Sequence, residues 1–449
     1  MIGSDGPRPD VVIAGSGIAG LVAAASLVEA GVSVLVIEKE ARLGGSTRIS
    51  GGTVWTAVSM ASMHELVPGG DRCRQAQLVD GIEEGLDWLT AIGVEVADRR
   101  RTEDRVIAQV DPVTLVDRLA ARVVAAGSTV AAATRLVGVD TDDTGAVIGV
   151  ALDVEGEQRR VPTGTVILAT GGFQADPDLV ARHVPGETAR LMLRAAEGST
   201  GDGLRIATEV GGGCSRDMAS FYGHTMPELP SPLPPADWTS VTPYYTQDAV
   251  LVDVTGRRFF DESTSMADER APMALVRCPG GRGVLILDDA LYQDEDLPGR
   301  SYARVGASFD AAARAGARHA TASSLEQLAD EVAEWGVDAH QLLDTLRRYN
   351  EAVSEDRGAD LSPPRLGHQI PVSRPPFRAL EVRPGITFTL GGIAVDLEGR
   401  VLARGDDRHL EGLYAIGADA GGIYEGGYAG GLALGLVQGR RVAATLTGA

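Results

Sequence analysis

Residues 10–38 read "DVVIAGSGIAGLVAAASLVEAGVSVLVIE": an apolar run, glycines at 15, 17 and 20, an alanine-rich stretch with helical spacing, and a second apolar run. Short apolar runs bounded by turn residues mark buried strands, so the segment predicts strand, tight turn, helix and strand, one βαβ unit opening an α/β domain. The glycines match G-x-G-x-x-G. Gly15 allows the tight turn, Gly17 lets a pyrophosphate approach the backbone, and Gly20 lets helix and strand pack closely, while the N–H groups at the helix start, Ile18 and Ala19, face the anion. Glu38 closes the second strand 18 residues after Gly20, where a carboxylate accepts hydrogen bonds from a ribose. Strand, helix and acid together predict an adenine dinucleotide site.

The uncharged run from Val11 to Val28 is long enough to suggest a membrane span. Its glycines divide it into a strand and a helix, and the preceding MIGSDGPRPD lacks the basic flank of a signal peptide, so no membrane span and a cytoplasmic location are expected. With 449 residues and 44% hydrophobic content the chain can bury a large core, and its length predicts two domains. Acidic residues outnumber basic ones 62 to 41, a formal charge of -21 that repels phosphate backbones and argues against nucleic acid as a partner. Cys73, Cys214 and Cys278 stand far apart without C-x-x-C spacing, suggesting neither a disulfide framework nor a metal site.

Alternation in 145–170, ending in "GTVILATGG", predicts a hairpin and then a buried parallel strand rejoining the first sheet. Pro-rich stretches at 226–238 and 362–377 mark irregular segments. Between them, "DAVLVDVTGRRFF" and "RGVLILDD" read as strands and 307–356 as helical. The expected division is a first domain at 1–214, an inserted domain at 215–365, and the completion of the first domain at 366–449. "RRR" at 99–101 reads as a solvated turn.

Beyond Glu38 the chain continues "EKEARLGGSTRISGGTVW", with two glycine pairs around Ser46, Thr47 and Arg48. Here it resembles the FAD-binding flavoproteins of the fumarate reductase, succinate dehydrogenase and 3-ketosteroid dehydrogenase superfamily, in which such a loop follows the pyrophosphate and isoalloxazine. "ILATGGF" at 167–173, "GSTGDGLRIATEVGG" at 198–212, "VDVTGRRFFDES" at 252–263, "TLGGIAVD" at 389–396 and "GLYAIGADAGG" at 412–422 stand in the family's order. The resemblance implies a Rossmann-like FAD-binding domain of glutathione-reductase type with an inserted α+β capping domain. It assigns to FAD, besides Gly15, Gly17, Ile18, Ala19, Gly20 and Glu38, the residues Lys39, Gly45, Ser46, Thr47, Ser50, Gly51, Gly52, Ala169, Thr170, Gly171, Asp202, Gly417 and Asp419, the last bonding a ribityl hydroxyl. Gly430, Leu432, Ala433 and Leu434 begin a helix aimed at the flavin's pyrimidine ring, where its dipole favours negative charge. The glycines of 412–444 are thus expected at the flavin. Membrane-bound relatives attach flavin through a histidine in the loop after the glycine pair; residues 44–52 hold none, so FAD is expected to be noncovalent.

Reductases of small dicarboxylates need cationic clamps. Their expected residues fall on Met266, Phe388 and Tyr428, with Arg270 four residues past Met266 as a shifted helper. Ketosteroid dehydrogenases instead resemble this chain in having a tyrosine where Tyr428 stands, its hydroxyl polarising a ketone with a neighbouring backbone N–H, here Gly431. Their further tyrosines are missing, since no tyrosine precedes Tyr222. Candidates for the proton transfer are Tyr222 and His224 in "SFYGHTM" and Tyr245, beside Tyr244, in "TPYYTQD", a segment that lines the substrate cleft in the family. The expected function is FAD-dependent α,β-dehydrogenation, or the reverse ene reduction, of a neutral, cyclic or steroid-like ketone, with hydride transfer to flavin N5 and an external electron acceptor. The alternatives are reduction of an unsaturated carboxylic acid by a rebuilt anion site, and a flavin-binding electron carrier.

Overall fold

In the computed structural model, residues 8–264, 266–294 and 304–448 are described. Residues 1–7, read above for a signal peptide, lie outside that range. The chain forms two compact units: Met1–His183, Ala195–Ser220 and Phe388–Ala449 make one, Val184–Arg194 and Phe221–Thr387 the other.

The first unit is built on the expected βαβ segment. Strands Val11–Ala14 and Val34–Ile37 pair in parallel on either side of helix Ile18–Glu29 in sequence. The sheet continues in parallel through Val166–Leu168 to His409–Ala415 on one side and to Thr129–Ala131 on the other, with Arg400–Leu402 as an antiparallel edge. Three core strands of Val, Ile, Leu and Ala, Val11–Ala14, Val34–Ile37 and Val166–Leu168, are buried along their length because helices cover them, as parallel sheets require. Helix Gly431–Thr447 packs on Ile18–Glu29. The hairpin predicted in 145–170 is Val147–Val154 with Glu157–Pro162, followed by the returning strand Val166–Leu168.

The second unit centres on the long strand Phe377–Ile386. It pairs antiparallel with Gly283–Leu287, Thr225–Pro227 and His319–Ala322, and in parallel with Met192–Leu193, while Val250–Asp253 joins beyond Gly283–Leu287. Period-two alternation builds a core on each face. Val250, Val252, Val284, Ile286 and Ala379 bury with Leu328, Leu342 and Leu346 of the helices in 325–354, whereas Leu251, Leu285, Leu287, Leu380 and Val382 bury with Phe309 and Leu275. This corrects the expected boundaries. The 214/215 and 365/366 breaks move to 220/221 and 387/388, because strand Phe377–Ile386 finds all its partners inside the inserted unit, which also recruits 184–194. Arg99, Arg100 and Arg101 form an edge strand, not a turn; Arg99 and Arg101 pair with Glu83 of a neighbouring helix. Among the described residues no helix is long and apolar enough to cross a membrane.

Glu262 is fully buried in this second unit. It accepts from Arg258 at 2.5 Å and lies 3.5 Å from the buried Arg365, while both guanidinia sit 5.4 Å from the ring of Tyr349. Removing the carboxylate strands two buried cations. Glu262→Ala is expected to cost about 3–5 kcal/mol, read as a lower urea midpoint, and a loss under about 1 kcal/mol would show that Tyr349 and backbone carbonyls suffice.

Candidate functional site

The glycine turn is fixed by what surrounds it. Gly15 adopts φ +109°, and a Cβ there would lie 2.0 Å from the carbonyl oxygen of Ala169, so only glycine lets the first strand and "ATGG" approach. Glu38 is buried and holds the loop rather than waiting for a ligand: its carboxylate accepts from Ser16 N–H at 3.1 Å, Ser16 hydroxyl at 2.6 Å and Glu40 N–H at 3.0 Å. Ser16 in turn accepts from Gly44 N–H at 2.8 Å, and Thr47 accepts from Ile18 N–H at 3.0 Å, which ties the second glycine loop to the helix start. Ser16 occupies a variable position of the motif, so nothing in the pattern marked it.

The residues expected around the pyrophosphate and ribose otherwise form three local groups. Ser46 accepts from Ala196 N–H at 3.0 Å, and Ser50 donates to the Thr47 carbonyl at 2.8 Å and accepts from Gly52 N–H at 3.2 Å. At Gly45 and Gly51 an added Cβ would meet nothing within 4 Å, leaving open space against the backbone. Lys39 and Asp202 meet in an ion pair of 3.0 Å, and Lys39 also donates to Thr200 at 2.7 Å. Burial opposes charge on Asp202, yet Arg135 and Lys39 hold its carboxyl down to about 2. Asp202 is therefore an ionised anchor for the start of helix Asp202–Glu209.

Helix Gly431–Thr447 begins with no side-chain cap. Gly431 N–H donates to the Tyr428 hydroxyl at 2.5 Å, and Leu434 N–H reaches back to the Gly430 carbonyl, so the amides of Leu432 and Ala433 remain for an outside acceptor. Tyr424 donates to the Gly430 carbonyl at 3.1 Å. Tyr428 is buried against Trp55, Phe388 and Tyr424, ring centroids 5.8, 5.7 and 5.5 Å away. Close packing accounts for three of this segment's glycines. A Cβ at Gly430 would lie 1.8 Å from the Trp55 carbonyl oxygen, and Cβ atoms at Gly435 and Gly439 would press on helix Ile18–Glu29, so these three are set by close packing. Gly417 N–H is held by Gln438 at 2.8 Å. Arg74 and Gln75, unmarked by any motif, secure the same stretch from behind: Arg74 donates to the carbonyls of Gly421 and Ala420, Gln75 to that of Ile423.

In the second unit Tyr222 and His224 are joined at 2.9 Å between the phenol oxygen and Nε2, and the Tyr244 ring lies 4.9 Å from His224. Burial, reinforced by the positive charge of Arg194, drives His224 well below the usual histidine range, so it is neutral at pH 7. Tyr245 does not join this group. Adjacent residues diverge here: Tyr245 enters the apolar core with Met226, Val241 and Leu251, where burial raises its phenol far above normal. Met266 is fully buried, and Arg270 lies on helix Ala267–Leu275. Among the described residues no group of acids, histidines and cysteines is placed to hold a metal.

Asp419 is the most deeply committed member of the first unit's set. Its carboxylate accepts from both the N–H and the hydroxyl of Thr170, whose oxygen accepts from Gly203 N–H at 3.0 Å. Burial pushes the carboxyl from 3.8 up to about 7 despite these donors. The folded value lies above the unfolded one, so the folded state keeps a proton that the unfolded chain has lost between about pH 4 and 7, and stability falls as pH rises through that window. The thermal midpoint of the FAD-free protein should decline across it. Asp419→Asn, which keeps an acceptor but cannot ionise, should flatten the decline; an unchanged slope would place the titration elsewhere.

The residues present fit an FAD: an uncapped helix start, open space beside Gly45 and Gly51, and a remaining acceptor position on Glu38. Comparison with known proteins agrees. The model of the FAD binding domain family matches residues 10–432. A fumarate reductase (cytochrome) of Shewanella frigidimarina is 28% identical over 453 residues, covering 95% of this chain and 74% of its own. Among solved structures, the fold is shared with a 3-ketosteroid delta1-dehydrogenase from Sterolibacterium denitrificans (TM-score 0.76, 18% identity, 98% of this chain and 99% of the other). It is also shared with a 3-ketosteroid-delta4-(5alpha)-dehydrogenase from Rhodococcus jostii RHA1 (TM-score 0.74, 23% identity, 99% and 98%). With the family model matching nearly its whole length, this chain belongs to the FAD binding domain family and is an FAD-dependent oxidoreductase.

Proposed function

We propose that the protein catalyses α,β-dehydrogenation of a cyclic ketone, or the reverse reduction of an enone. The observation that carries this reading is the 2.5 Å hydrogen bond from Gly431 N–H to the Tyr428 hydroxyl at the start of helix Gly431–Thr447. A phenol that accepts from the positive end of a helix is a strengthened donor, and a carbonyl oxygen receiving the hydrogen bond of the Tyr428 hydroxyl would have its developing enolate charge stabilised. In the oxidative direction the Cα–H bond breaks with its proton passing to a base, the Cβ–H bond breaks with its electron pair, and the C=C bond forms. Bound FAD supplies the two-electron acceptor for that hydride.

The chain's own residues do the rest. Tyr428 holds the carbonyl oxygen, Gly431 N–H supports its hydroxyl, and Trp55, Phe388 and Tyr424 fix the phenol ring. Within the inserted unit, the Tyr222–His224 pair sets a neutral imidazole in contact with a phenol, a combination that can relay a proton at pH 7. FAD is held noncovalently through Glu38, the 44–52 loop and Asp419. A second reading, reduction of an unsaturated carboxylic acid, is favoured by the relative named fumarate reductase. Against it, the positions that would carry a dicarboxylate clamp are the buried Met266 and Tyr428 and the half-buried Phe388.

Acid or heat should release all of the FAD from the purified protein; flavin remaining on the denatured chain would show covalent attachment. Tyr428→Phe keeps the ring and the FAD but removes one donor, so anaerobic bleaching of the flavin by a cyclic ketone should slow roughly 10²–10³-fold. A Phe variant within a few-fold of wild type would make Tyr428 a packing residue. Turnover of fumarate with reduced viologen, absent with ketones, would replace this reading with the second.

A further inference from the structure

Helix Arg72–Ala91, helix Gly431–Thr447 and the turn at 395–399, all within the first unit, border a cavity of about 20 Å³. Its polar lining comes from Arg74, Gln77, Asp396, Glu398, Gln438 and Arg441. A single water needs about 10–15 Å³, so the space admits a small ion and excludes anything of nucleotide size.

Donors outnumber acceptors in this lining. Arg74 is 5% exposed and makes no ion pair among the described residues. Its guanidinium donates to the carbonyls of Gly421 at 2.7 Å and Ala420 at 3.2 Å, and its other N–H groups meet no acceptor among the described residues. Burial draws its pKa down to about 10, so it is still a cation at pH 7. Gln438 spends its side-chain carbonyl on Gly417 N–H at 2.8 Å, which leaves its amide N–H groups without an acceptor among the described residues. Arg441 is exposed and makes no ion pair among the described residues. The nearby acids are committed elsewhere. Asp396 and Glu398 bond Arg400 at 2.6 and 3.0 Å, and Asp71 caps the start of its own helix through the N–H groups of Cys73 and Arg74. The groups left unmatched are cationic and amide donors, which an oxyanion satisfies with charge-assisted hydrogen bonds.

We propose that this cavity is a site for a small oxyanion, a phosphate or carboxylate group held by Arg74, Gln438 and Arg441. The same side chains already hold the backbone at Gly417, Ala420 and Gly421, so the bound anion braces the loop that carries Asp419 and tightens FAD retention. The brace rests on the assignment of Asp419 to FAD; the anion site does not.

The test titrates the FAD-loaded full chain calorimetrically with sodium phosphate and, separately, sodium acetate, against sodium chloride at equal ionic strength. At least one oxyanion should saturate a single site at millimolar concentration or below, where chloride does not, and the arm that saturates distinguishes phosphate from carboxylate. Arg74→Gln should abolish saturation, and Arg441→Glu should weaken it about 10-fold with FAD content unchanged. Arg441 lies on the surface, so its variant carries the test if Arg74→Gln fails to fold. Saturating anion should raise FAD affinity about 5-fold or more, read from flavin fluorescence released on dilution. Absence of saturation with both oxyanions, or saturation unchanged in Arg441→Glu, overturns the site. Saturation that leaves FAD affinity unchanged overturns the brace.

Discussion

The buried carboxyl of Asp419 is the point on which the first unit's site depends. Through Thr170 it joins segments that are 249 residues apart in sequence, and Thr170 passes the connection on to Gly203. The fit is close enough that a Cβ on Gly203 would lie 2.6 Å from the Asp419 carboxyl. Desolvation makes charge on this group expensive, and the donors around it only partly offset that cost. The arrangement persists because the backbone on either side is pinned independently, by Arg74 and Gln75 behind the loop and by Gln438 beside Gly417. A strained electrostatic site is thus carried by ordinary packing.

Charge is handled differently in the two units. Near the glycine turn, anions are neutralised by partners brought from other segments: Asp202 by Lys39, Arg135 and Arg205, Glu38 by amide and hydroxyl donors. In the inserted unit, buried guanidinia are answered by carboxylates close in the fold: Arg258 and Arg365 by Glu262, Arg378 by Asp289. Arg194 stands outside this scheme. Since the sheet holds its backbone in register with Ile386, its position is determined even though its charge is not met.

Function follows from where donors are collected. The start of helix Gly431–Thr447 gathers two amides and the Tyr424 and Tyr428 phenols within a few residues of sequence, with the Trp55 and Phe388 rings packed on from distant segments, while the Tyr222–His224 pair is assembled from one short stretch of the other unit. Both sets of donors are local in sequence, which is why motif reading reached them. Their strength as donors comes from burial and from the helix, which no motif records.

The sequence by itself determined the βαβ opening, the glycine turn, the acid at its end and the returning strand in "GTVILATGG", because each is a local pattern of periodicity and turn chemistry, while the return through "GLYAIGADAGG" was legible only from the family resemblance. It did not determine the limits of the inserted unit, since strand Phe377–Ile386 follows a Pro-rich segment and is defined only by pairing with strands from 192 to 322. Nor did it separate Tyr244 from Tyr245: the pair reads alike, and only the packed core decides that one ring meets His224 and the other is lost among Met226 and Leu251. Ser16, Arg74 and Arg194 were invisible for the same reason. Their roles are set by which groups tertiary folding places, or fails to place, within hydrogen-bond reach of a buried polar atom.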